Sequence, residues 1–123
     1  MTITVEWADD EKTICVMRRE VGWTWAEFDA GTAKSARMIK DVDHQVDLIV
    51  EGGDEMPPGF PVSHFLRARR AQPDNVRQVI IVVVNPYGRS IFNAISRLNN
   101  FRSGKMVAAS TTEEAMALAI APV

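Results

Sequence analysis

Val79-Ile80-Ile81-Val82-Val83-Val84-Asn85-Pro86 is the stretch on which the fold turns. A strand with one face in water alternates apolar and polar side chains, so an unbroken β-branched run suits a strand covered on both faces. Such strands belong to parallel sheets, whose crossover helices supply the cover. Proline has no amide to donate, and Asn85-Pro86 therefore ends the run. From Arg89 to Leu98 the spacing predicts a helix, with Ile91, Ile95 and Leu98 on one face and Phe92 alongside.

Upstream, Val46-Asp47-Leu48-Ile49-Val50 reads as another strand, ended by Glu51-Gly52-Gly53-Asp54. Met56-Pro57-Pro58-Gly59-Phe60-Pro61 is a loop, because each proline lacks a donor and restricts the residue before it. A short helix follows from about Val62 to Ala71, with Val62, Phe65 and Leu66 inward. Nearer the start, Ile3, Val5 and Trp7 alternate with Thr4 and Glu6 as a half-buried strand. Ala8-Asp9-Asp10-Glu11-Lys12 turns the chain, and Thr13 to Arg19 returns antiparallel. Thr24 and Glu27 form a capping box with Trp23 and Phe28 as its apolar staple, and Trp25, Phe28, Thr32, Ala36 and Ile39 share one helical face. At the far end Lys105 to Ala109 is a short strand, and Thr111 with Glu114 makes a second capping box.

The sum is ββαβαβαβα, an α/β fold with a mostly parallel five-stranded sheet, read as a single domain over residues 1–123. Right-handed crossovers make the strands parallel from the second onward, with the first antiparallel beside them. Hydrophobic and charged contents of 46% and 24% are those of an ordinary globular chain. The formal net charge of −2 gives no global attraction to nucleic acid or to an anionic membrane. Cys15 is the only cysteine and sits in a strand-like run, as a buried hydrophobe would. The first residues lack a basic then apolar leader, and the longest fully apolar run is far short of the ~20 residues that span a bilayer. A cytoplasmic protein is expected.

Ligands of open α/β sheets sit beyond the carboxyl ends of the strands, which directs attention to residues 51–61, 85–90 and 109–112. Asn85-Pro86-Tyr87-Gly88-Arg89-Ser90 leads into a helix start whose free amides and Arg89 suit an anion, although a plain turn and cap explain the same residues. Glu51, Asp54 and Glu55 lie near Asp47, but their spacing matches no cation loop. His44 and His64 stand apart, without the ligand spacing of a metal site. Ser63-His64 is the one adjacent hydroxyl and imidazole, and neighbours on a helix point about 100° apart. Arg67, Arg69, Arg70 and Arg77 form a basic cluster that a helix C-terminus explains before a nucleic acid does. Trp7, Trp23 and Trp25 offer apolar area, mostly for the core, with any exposed part suited to a partner. No residue is assigned to catalysis, and no metal or cofactor is expected.

The element order, Trp23-Thr24-Trp25-Ala26-Glu27-Phe28, the apolar strand ending in Asn85-Pro86 and Ser110-Thr111-Thr112-Glu113-Glu114-Ala115 together resemble the SpoIIAA-like (STAS-like) domains of bacteria. That resemblance covers nearly the whole chain. It implies a non-catalytic domain, since proteins of that fold include anti-sigma-factor antagonists and relatives of the lipid-binding Sec14 fold. The antagonists' switch is a phosphorylatable hydroxyl just after the third strand. Residues 51–59 carry none, and only Ser63 is near, so the phosphoswitch is not expected. The expectation is a binding or regulatory domain acting on a protein partner or on itself as a homodimer. The alternative is a domain binding an anion or a small apolar molecule at the strand ends. Asp54, Phe60, Ser63, Tyr87, Arg89 and Ser90 are the candidate contacts.

Overall fold

A computed structural model describes residues 2–52, 57, 61–84, 89–90, 92–93 and 105–120. Five strands, β1 Ile3–Trp7, β2 Ile14–Arg19, β3 Val46–Gly52, β4 Val76–Val82 and β5 Lys105–Ala109, form one sheet in sequential order. Helix α1 spans Trp25–Lys40, α2 Pro61–Arg70 and α3 Thr112–Ile120. Strand β1 is antiparallel to β2, with Ile3 opposite Arg19 and Trp7 opposite Cys15, and every later pairing is parallel. The α/β class and the mostly parallel five-stranded sheet thus agree with the sequence reading. Of the helix expected from Arg89 to Leu98, Arg89, Ser90, Phe92 and Asn93 are helical, and the other positions lie outside the described residues.

Local chemistry fixes the joints. In the hairpin turn, Asp9 accepts from the backbone amides of Thr13 at 2.9 Å and Ile14 at 3.1 Å, and from the Thr13 hydroxyl, while Lys12 takes φ 59° to bring the chain around. Thr24 caps α1 by accepting from the Glu27 amide at 3.2 Å, and the Trp23 ring lies 5.9 Å from Phe28 as a staple. Glu27 in turn reaches back to Thr24, as the capping box predicts. Its carboxylate accepts from the Thr24 hydroxyl and from the Thr2 amide, each at 3.2 Å, and so ties the helix start to the chain entering β1. At α3 the Glu114 amide donates to Thr111 Oγ1 at 3.1 Å, and Glu114 Oε2 accepts from the Ser110 amide at 3.0 Å.

Crossovers of one hand between successive neighbours put their helices on one face of the sheet. Accordingly α1 and α2 share one core, in which Trp25, Phe28 and Ile39 pack on Val5, Cys15, Met17, Leu48 and Val79. Helix α3 follows the last strand, makes no crossover, and lies on the reverse face, where Ala115 and Ala119 cover Ile49, Ile80 and Val82. The buried side of α1 includes Gly31 and Ser35, so the stripe is displaced from the predicted Ala36, which is only half-buried.

Strand β4 starts at Val76 and ends at Val82, whereas the apolar run predicts 79–84. Val79, Ile80, Val82 and Val83 are buried, but Val84 is 58% exposed, so the run is not covered at every position. The shift has a cause in pairing: the ladder with β3 begins at Val46 opposite Val76, and a bulge there sets Asp47 opposite Gln78. Arg77 is the extra residue, which lets it and Gln78 both face Asp47.

Candidate functional site

Of the sequence candidates, Asp54, Phe60 and Tyr87 lie outside the described residues. Ser63 is exposed on α2, and Arg89 and Ser90 are exposed helical positions beyond β4. The predicted basic cluster is dispersed. Arg67 reaches Asp29 at 3.3 Å, Arg77 is bound to Asp47, Arg69 is half-buried, and only Arg70 is an open cation among the four. His64 stacks flat on Trp25, with ring centres 4.4 Å apart, and its Nδ1 lies 3.3 Å from Asp29. His44 Nε2 lies 2.8 Å from the Lys12 carbonyl. Trp23 and Trp25 are core residues, and Trp7 is half-buried.

The feature with most capacity for recognition lies elsewhere. Among the described residues helix α3 packs on β3, β4 and β5, while Glu6 of β1 and Arg18 of β2 stay exposed on the same reverse face. A groove of about 380 Å³ runs there, between the first strands and the start of α3. Val16 and Ile49 form its floor, Trp7 and Met116 its apolar walls, and Glu6, Arg18, Glu51 and Thr112 its polar rim.

The rim follows from strand register. Arg18 stands directly opposite Glu51 in the parallel pair, and diagonal to Glu6, which is opposite Val16. The Arg18 guanidinium donates to both carboxylates, from Nε to Glu51 and from Nη1 to Glu6. Hydrogen bonding to Glu51, opposed by burial and aided by Glu6, raises the Arg18 pKa further, so the guanidinium stays charged at every working pH. Glu51 is the buried member and also accepts from the Thr112 hydroxyl at 2.8 Å. Glu6 is open to water, so its pair with Arg18 contributes no more than ~1 kcal/mol. The groove therefore presents a fixed cation between two anions.

Glu6, Arg18 and Met116 are not among the residues the sequence singles out, whereas Trp7 is named there as apolar area for the core or a partner. The available signal is weak: Arg18 breaks an apolar strand at a position that should face outward, and its partners appear only once the register of β1, β2 and β3 is known. Among the described residues no group of three or more His, Cys, Asp or Glu is placed to hold a metal ion. No described helix is long and apolar enough to cross a membrane. Comparison with family models, curated proteins and solved structures finds no match to this chain.

Proposed function

We propose that this chain is a non-catalytic SpoIIAA-like binding domain that works in the cytoplasm through a protein partner or a second copy of itself, using the groove over β1 and β2. The observation that carries the reading is the groove on the reverse face, bordered by the half-buried Trp7, where the half-exposed Arg18 stands between Glu6 and Glu51. Tryptophan and arginine are the side chains that most often anchor protein contacts. The acids beside them are engaged with a guanidinium, which suits recognition better than proton transfer, since a general base must have a free lone pair aimed at its substrate.

Glu6→Arg tests the reading, because it reverses the rim charge at a position open to water. Light scattering across a concentration series should show self-association of the native chain, or a complex with a purified candidate partner, and loss of either in the variant while it stays folded. A native chain that stays monomeric and whose partner complexes survive Glu6→Arg would overturn it. The groove volume, about 380 Å³, also falls within the ~300–1,000 Å³ typical of small-ligand sites, which favours a small ligand as the second reading. That reading requires a saturable ligand-dependent rise in melting temperature that Glu6→Arg reduces.

A further inference from the structure

Strand β1 is an edge of the sheet, and among the described residues it has only β2 beside it. The Ala8 amide donates to the Ile14 carbonyl at 2.8 Å and the Glu20 amide to the Thr2 carbonyl at 2.6 Å, so residues of even number turn their backbone groups towards β2. Antiparallel ladders alternate, and Ile3, Val5 and Trp7 therefore direct their N–H and C=O groups outwards from the sheet. Their side chains lie on the helical face, with Ile3 and Val5 buried and Trp7 half-buried. Natural edges are commonly blunted by a lysine, a proline or a bulge. Ile3-Thr4-Val5-Glu6-Trp7 has none of these, and Glu6, its one charge, is bound by Arg18.

We propose that a second copy of this chain pairs on this edge, antiparallel and centred on Val5, and joins the two five-stranded sheets into one. This names the partner within the function proposed above and rests on that reading for self-association, but its contact is the strand edge and not the groove. Centring on Val5 sets Val5 against its own copy and Ile3 against the partner's Trp7, so every outward N–H and C=O of the three residues finds a partner. A centre at Thr4 carries Trp7 past the end of the partner strand, and a centre at Glu6 does the same to Ile3. The charges agree as well, because Glu6 faces the hydroxyl of the partner's Thr4 and not a second carboxylate. Helix α1 packs on both β1 and β2, so its axis runs inside the edge, and α3 packs on β3, β4 and β5, away from it. With strands ~4.8 Å apart, the two copies of α1 lie antiparallel with axes roughly 10 Å apart, an ordinary helix packing distance. Glu27 and Lys34 flank Gly31, where a Cβ would lie 3.0 Å from Ile3, so the antiparallel helices bring Glu27 towards the partner's Lys34.

Paired cysteine variants of the full chain read the register. Thr4→Cys and Glu6→Cys put thiols at directly opposed, non-hydrogen-bonded positions with Cα atoms about 4.5 Å apart, within disulfide reach. Two copies of the same variant hold them roughly 8 Å apart, beyond the limit of about 7 Å. Under mild oxidation an equimolar mixture should therefore give covalent dimer at least tenfold faster than either variant alone, with Cys15 too deeply buried to take part. Val5→Pro removes an outward donor and leaves the bonds to β2 in place, so light scattering should show at least a tenfold weaker dimer. If that variant folds poorly, the crosslinking rates carry the test alone. A native chain that stays monomeric, equal crosslinking in the mixture and the single variants, or a dimer of native strength in folded Val5→Pro would each overturn the proposal. A dimer that survives Glu6→Arg and is lost in Val5→Pro would support the edge while removing the groove from the reading above, and the reverse pattern would remove the edge and keep the groove.

Discussion

Asp47 and Arg77 face each other across β3 and β4 through two hydrogen bonds, 2.7 Å from Nε and 2.5 Å from Nη2. The same guanidinium donates to the Ala119 carbonyl at 3.0 Å, and the Gln78 amide donates to Asp47 at 3.1 Å and to the Leu118 carbonyl at 3.2 Å. The last carbonyls of a helix have no partners within it, so Arg77 and Gln78 serve as a cap supplied by a neighbouring strand. One buried carboxylate thereby orients two donors that fasten α3 to the sheet.

Removing one member strands the other. Arg77→Met leaves the buried Asp47 with Gln78 as its remaining side-chain donor, and should cost about 3 kcal/mol in urea unfolding. Replacing both, as Asp47→Leu with Arg77→Met, should recover more than half of that loss, because an apolar pair has no charge left to solvate.

Gly52 closes β3 at φ 77°, and a Cβ there would lie 2.2 Å from the Arg19 carbonyl oxygen. Gly22 has φ 90° with open space around it. Gly22→Ala should therefore cost only the left-handed strain, about 1–2 kcal/mol, and Gly52→Ala clearly more, because backbone must move as well. Thermal unfolding of the two variants side by side checks the order.

Acid should loosen the β1–β2 turn. Burial pushes the Asp9 pKa up, but the bonds from Thr13 and Ile14 outweigh it and hold the carboxyl below its usual 3.8. A depressed carboxyl stabilises the fold fully above its unfolded value and loses that contribution as pH falls through the folded one. The stability difference between the native chain and Asp9→Asn should be constant from neutral pH down to about pH 5 and shrink below about pH 4, as followed by urea titrations at each pH.

Cys15 is fully buried, and desolvation, only partly offset by Lys34, pushes its thiol pKa up to about 12. The thiolate is the reacting species, so alkylation at mildly alkaline pH should be slow in the native chain and fast in urea. A native rate equal to the unfolded one would show that β2 opens readily.

The β2–β5 ladder was legible in sequence because a parallel sheet leaves long apolar runs, and the Thr24 and Thr111 caps because their spacing is local. The ends of β4 were not. Arg77 and Gln78 look like loop residues until Asp47 is known to face them, and that depends on a bulge between strands distant in sequence. The groove was hidden for a related reason. Glu6, Arg18 and Glu51 come from three strands, and Thr112 from a helix that lies on the reverse face. Periodicity marks which side of a strand is covered, but the uncovered portion of the reverse face depends on where α3 comes to rest.

Resting on the reverse face, α3 is also the element a ribosome releases last among those described. Until Thr112–Ile120 has left the exit tunnel, the nascent sheet offers Ile49, Ile80 and Val82 to its surroundings, and completing this fold is a matter of translation order as much as of affinity.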